Sequence, residues 1–88
     1  MPSRTVEMLN KRGLHARASA KFVTLAAAQP AEIEVEKDGN RVCGTSIMGL
    51  MMLGAAYGDS ITIHSEGEGA GEALQALVDL VEARFGEE

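Results

Sequence analysis

Residues 31–37 read Ala-Glu-Ile-Glu-Val-Glu-Lys. Successive strand side chains alternate between faces, so Ile33 and Val35 point one way while Glu32, Glu34 and Glu36 point the other. One buried face and one wet face predict an antiparallel sheet with a solvated side. The three glutamates read as that solvated side; no further ligands stand beside them, and no metal site is expected. Asp38-Gly39-Asn40 follows as a tight hairpin turn, and Arg41-Val42-Cys43 as a short returning strand. Cys43 reads as a small buried hydrophobe rather than a reactive thiol, since no second cysteine supports redox work.

Two more segments alternate in the same way. Residues 4–9 turn Val6 and Met8 inward, and Ser60–Ser65 turns Ile61 and Ile63 inward. His64 then faces outward with Thr62 and Glu66, as a surface residue with no assigned role. Asn10 to Gly13 reads as a polar turn, Ala55 to Asp59 as a loop turned by Gly58-Asp59, and Gly67 to Gly71 as a flexible turn.

Helical periodicity occupies the intervals. A helix is expected from about Ala16 to Ala28, ended by Gln29-Pro30 because proline cannot continue the ladder. Ala16, Ala20, Val23 and Ala27 fall at helical spacing and are the expected face toward the sheet. Gly44-Thr45-Ser46 opens a second, short helix over Ile47–Leu53, with Ser46 as N-cap. That helix has more apolar residues than one buried stripe can hold. Met48, Met51 and Met52 form the surplus, read either as an exposed, adaptable contact patch or as simple core filling. The last helix runs from about Ala70 to Phe85, with Leu74, Leu77, Val78, Val81 and Phe85 as its core stripe. Glu72 lies near its positive end and Arg84 near its negative end. The order strand, helix, strand, strand, helix, strand, helix predicts a two-layer α+β sandwich.

The 88 residues suffice for one domain. With Phe22, Tyr57 and Phe85 the only aromatic residues, the core must be aliphatic. A single cysteine forms no internal disulfide and fits a reducing cytoplasm. No signal-like apolar run stands at the N-terminus, and no stretch reaches the length of a membrane span. The net charge of −5 argues against a general nucleic-acid binder. Its distribution is uneven. Arg4, Lys11, Arg12, Arg17 and Lys21 face only Glu7 within residues 1–24, whereas residues 25–88 are strongly acidic. The basic end suits docking onto acidic partner surfaces, and the closing Glu87-Glu88 reads as solvated acidic surface.

His15 lies in that basic end. Gly13 permits a sharp turn, and His15 falls at or beside the N-cap of the first helix. The first amides there lack intrahelical partners and carry partial positive charge, so the helix end can cradle an anion such as phosphate. Arg17 can add a bidentate fork for phosphoryl oxygens. A neutral imidazole beside such a cradle is what a transient phosphohistidine needs. A histidine at a helix start is otherwise an ordinary cap. No P-loop, cofactor fingerprint or metal-ligand cluster offers a rival chemistry, and no cofactor is expected.

The segment Gly13-Leu14-His15-Ala16-Arg17 closely resembles the active-site motif of the HPr family, the histidine-containing phosphocarriers of the phosphoenolpyruvate-dependent phosphotransferase system. The likeness extends over almost the whole chain. It departs at Ala18, where the family often has proline; alanine suits a helix too. The resemblance implies one HPr-like domain over residues 1–88. It also implies a four-stranded antiparallel sheet in the order 1-4-2-3, with three helices on one face. His15 would accept a phosphoryl group at Nδ1 from phosphorylated Enzyme I and pass it to IIA domains, in sugar uptake or a nitrogen-related regulatory branch. Arg17 and the amides of Ala16 and Arg17 would hold its oxygens. Such a protein is a carrier rather than an enzyme, expected as a cytoplasmic monomer.

Ser46-Ile47-Met48-Gly49, followed by Met and Leu-Gly, looks like the regulatory-serine segment of the same family. Ser46 would then be a substrate of HPr kinase/phosphorylase, and its phosphorylation inhibitory. Ile47, Met48, Met51 and Met52, with Lys21, would bind partners. Thr45 stands where many relatives carry a basic residue. The alternative is a regulatory binding module acting through the Ser46–Met52 surface without phosphotransfer.

Overall fold

The computed structural model describes residues 2–87. Its elements are β1 (Ser3–Glu7), α1 (Ala16–Ala27), β2 (Glu32–Lys37), β3 (Asn40–Cys43), α2 (Ile47–Met52), β4 (Ser60–Glu66) and α3 (Ala70–Glu82), followed by a single 3-10 turn, Arg84–Gly86. All strand pairs are antiparallel, in the order β1-β4-β2-β3, as the resemblance implied. Val35 sits opposite both Ile63 and Val42, and Val6 opposite Ile61. These inward residues join the buried faces of the helices in one continuous core. The other face stays open and carries Thr5, Glu32, Glu34, Glu36, Thr62 and His64.

The β2–β3 hairpin is tighter than three residues. Lys37 pairs with Asn40, leaving a two-residue loop. Asp38 and Gly39 both take positive φ, 53° and 83°, the type I′ geometry whose twist matches the strands and which Asp-Gly favours.

Four expectations change. First, α1 buries Ala18, Ser19, Phe22 and Ala26, whereas Ala16 and Ala27 are exposed and Ala20 and Val23 half-buried. Phe22 is fully buried and, at about 1.5–3 kcal/mol for such a side chain, outweighs any alanine stripe in choosing the helix rotation. Second, Cys43 is exposed. It pairs with Glu34, so register puts it on the glutamate face, and Val42 turns inward in its place. Third, α3 ends at Glu82. Phe85 still reaches the core, 1 % exposed, but from a left-handed turn. Fourth, β1 stops at Glu7, yet Met8 is fully buried. Main-chain bonds from Met8 N–H to Asp59 O (2.7 Å) and from Gly58 N–H to Met8 O (2.9 Å) hold it.

The surplus of apolar residues on α2 lies outside the core. Only Leu50, with Leu53 just beyond, is buried. Ile47, Met48, Met51 and Met52 are 41 %, 70 %, 42 % and 80 % exposed. No helix among the described residues is long and apolar enough to cross a membrane.

Candidate functional site

The turn before α1 has two requirements. Gly13 has φ +62°, and a Cβ there would lie 2.2 Å from the carbonyl oxygen of Ala55. The next amide, Leu14 N–H, donates to that same oxygen at 2.9 Å. Only glycine satisfies the conformation and the close approach together. Leu14 is thereby buried, and Ser19 fastens the turn from the helix side, its hydroxyl donating to Leu14 O at 3.2 Å.

His15 is the N-cap of α1, with extended backbone (φ −76°, ψ −178°). Its Nδ1 accepts the backbone N–H of Arg17 at 3.3 Å. A ring nitrogen that accepts carries no proton, so this pairing assigns the tautomer: the hydrogen is on Nε2. Nε2 donates to Glu87 Oε2 at 2.5 Å. The imidazole is thus held from both sides, and the lone pair of Nδ1 points at the amide end of the helix.

Around it opens a basin of about 830 Å³. Lys11, Arg12, Arg17, Lys21 and Arg84 line it, and among the described residues Glu87 is the one carboxylate in its wall. The uneven charge of the sequence maps onto this basin with two changes: Arg4 lies on β1 outside it, and Arg84 enters from the acidic remainder of the chain. A cationic basin at a helix N-terminus favours a phosphoryl group electrostatically.

Three participants were not legible as such. Asn10, assigned to a polar turn, is 2 % exposed. Its Nδ2 donates to Gly13 O at 2.8 Å and to Glu87 Oε1 at 3.2 Å, tying the turn to the tail. Arg84 sits not on α3 but in the basin wall. Glu87, read as solvated surface, is on the histidine; Glu88 lies outside the described residues. No local pattern announces Glu87, because its partners lie more than seventy residues away in the chain.

The tail reaches His15 by an unusual path. Arg84 and Phe85 are non-glycine residues with φ of +58° and +56°, a conformation costing on the order of 1–3 kcal/mol each. Burial of the Phe85 ring and a bond from Lys21 Nζ to Phe85 O, 2.7 Å, hold them there. The Nε2–H bond of His15 holds the Glu87 carboxyl below the usual carboxylate range. Partial burial opposes this, and Asn10 and Lys21 assist it.

The other sequence-predicted residues divide into two groups. Arg17 is exposed beside His15, with its side chain in the basin wall; Lys21 lines the same wall while bonding Phe85 O. Ser46 caps α2, its Oγ accepting Gly49 N–H at 3.0 Å. Ile47, Met48, Met51 and Met52 lie exposed on the helix that it caps. Tyr57, 64 % exposed, lines the His15 basin from the loop after α2. Among the described residues no group of three metal-ligating side chains is assembled.

Comparison with known proteins agrees with this geometry. The family model described as "PTS HPr component phosphorylation site" matches residues 2–83. The chain is 48% identical over 87 residues to the phosphocarrier protein HPr of Neisseria meningitidis, covering 99% of this chain and 98% of that one. It is 47% identical over 88 residues to that of Pseudomonas aeruginosa, with the same coverage. The crystal structure of an HPr from Thermoanaerobacter tengcongensis superimposes with a TM-score of 0.95 at 48% identity, covering 100% of this chain and 99% of that one.

Proposed function

The chain belongs to the HPr family of phosphotransferase-system phosphocarriers, carriers rather than enzymes, and on that premise we propose that His15 is its phosphoryl acceptor, loaded by phospho-Enzyme I and discharged to IIA domains. One observation carries this reading: His15 aims the Nδ1 lone pair at the start of α1 inside a wall of five cationic side chains. When phosphorus arrives at Nδ1, the amides of Ala16 and Arg17 and the Arg17 fork are the donors for its oxygens. The basin is open, which suits substrates that are themselves proteins. It holds the group only moderately, as onward transfer requires.

The exposed Ile47, Met48, Met51 and Met52, with Lys21 at the basin edge, form the docking surface for those partners. Their exposure also favours the reading of this surface as a regulatory platform, one that works with phosphotransfer rather than instead of it. Phosphorylation of Ser46 by HPr kinase/phosphorylase is the inhibitory input. Residues 1–88 act as one unit, a cytoplasmic monomer serving sugar uptake or the nitrogen-related branch.

The test is direct. The purified chain is mixed with Enzyme I and labelled phosphoenolpyruvate. Label is expected in the chain, with the acid lability of phosphohistidine. A chain that stays unlabelled while Enzyme I labels overturns the proposal.

A further inference from the structure

The chain places its methionines in two settings. Met8 is fully buried in the core. Met48, Met51 and Met52 stand on α2 at positions i, i+3 and i+4, neighbours on one side of the helix, and none of the three belongs to the core. Met48 and Met52, 70 % and 80 % exposed, are the most exposed large apolar side chains among the described residues. Other groups hold α2 in place. Leu50 and Leu53 are buried beneath it, and Ser46 Oγ accepts Gly49 N–H at 3.0 Å. From Val42 to Gly58 the sequence carries no charged side chain. Docking through α2 therefore draws on apolar contact rather than ion pairs, and thioethers supply much of that contact.

We propose that Met48 and Met52 are oxidative modification sites: hydrogen peroxide converts their thioethers to sulfoxides, which weakens the docking of a protein partner on α2 and leaves the fold and His15 unaltered. The inference rests on the reading of this face as the partner surface. In the step itself a sulfur lone pair attacks one peroxide oxygen. The S–O bond forms and the O–O bond breaks, its electron pair leaving with the other oxygen. That oxygen takes the proton from the first and departs as water. Sulfur is oxidised by two electrons and the peroxide is reduced by two. The thioether becomes a polar, chiral group with an acceptor oxygen. On the free chain water solvates that oxygen, since both side chains are exposed. Under a partner it must be desolvated, and an apolar face offers it no donor. Sulfoxide reductases reverse the change, one for each epimer. Cys43, the exposed thiol, lies on the glutamate face of the sheet.

The test uses the full chain carrying Cys43→Ser, so that sulfur oxidation is confined to methionine. The chain is treated with hydrogen peroxide, and peptide mass spectrometry locates the added oxygen. Met48 and Met52 should be oxidised ahead of Met51, and far ahead of Met8. The treated chain should melt at the temperature of the untreated one. Its Kd for Enzyme I, read by calorimetry, should rise on the order of tenfold, the scale of one buried acceptor left without a donor. The rate of phosphoryl acceptance at saturating chain should stay the same, and a sulfoxide reductase should restore the affinity. Met48→Leu combined with Met52→Leu, compared with itself before and after peroxide, should lose the response. Oxidation of Met8 as fast as Met48 and Met52 overturns the inference, as does a lowered melting temperature. Unchanged affinity in a chain whose Met48 and Met52 carry oxygen overturns it too, as does an equal response in the leucine variant. Untreated Met48→Asp reads the partner surface by itself. Weaker binding there, with unchanged affinity of the oxidised chain, strikes the oxidation inference alone. Unchanged binding there removes the partner surface, and the inference with it.

Discussion

The two histidines differ less in their nearest partners than in everything beyond them. His15 and His64 each place Nε2 on a glutamate oxygen, at 2.5 and 2.8 Å, and each side chain is 21% exposed. The second nitrogen separates them. Nδ1 of His15 accepts a helix amide in a cationic basin. His64 stands in mid-strand on the open sheet face, with Glu34 opposite it on β2 and Glu32, Glu66 and Arg41 around the same hollow, Arg41 already ion-paired with Glu34. A phosphoryl group there would meet three carboxylates against one cation that is already paired, and no helix end. A carboxylate on Nε2 therefore orients an imidazole without making it a phosphoryl site; the helix terminus and the field do that.

The strongest way to break this contrast is His15→Ala. Phosphoryl acceptance should fall to background, while the melting temperature changes little, since a cap contributes only about 1 kcal/mol. Label remaining on a histidine of that variant would transfer the site to His64 and reverse the comparison.

Arg17 tests the field rather than the nucleophile. Arg17→Ala should slow transfer roughly tenfold, with Arg17→Lys intermediate, because a point charge replaces a planar fork while the amides remain. Unchanged kinetics for Arg17→Ala would reduce it to a surface charge.

Ser46 extends the comparison to a second helix start, one whose surroundings are apolar. Its hydroxyl caps α2 beside Ile47, Met48, Met51 and Met52. An added negative charge suits the helix end, yet it must be desolvated when the patch docks on an acidic partner. Ser46→Asp should therefore melt at or above the parent temperature and accept phosphate several-fold more slowly, on the order of 1 kcal/mol. Transfer at the parent rate would leave Ser46 as a cap alone.

Two smaller effects complete the series. His64→Ala should leave acceptance unchanged, measured by the same labelling. Titration of the Glu87 carboxyl by ¹³C NMR should show its midpoint below the ordinary carboxylate range. A lowered carboxylate contributes its stabilisation above the ordinary range and loses it as pH falls through the lowered value. The tail should thus stay on His15 at neutral pH and release only on strong acidification. A midpoint in the ordinary range would show the tail detached in solution.

Much of this protein is written locally. Alternation at Glu32–Lys37 and Ser60–Glu66, the Asp38-Gly39 turn, the stripe Leu74-Leu77-Val78-Val81 and the caps at His15 and Ser46 each depend on neighbours within a few positions. Backbone geometry converts such spacing directly into structure. What depended on comparing distant segments was decided only by folding. The rotation of α1 followed the burial of Phe22, not the alanine spacing. Cys43 was turned outward by its register opposite Glu34. Glu87 became the partner of His15 because Phe85 and Lys21 bend the chain through a left-handed turn that no periodicity foretells. Local preferences act over one turn or one pleat, whereas side-chain burial and ion pairing act between surfaces that exist only once the chain has closed on itself.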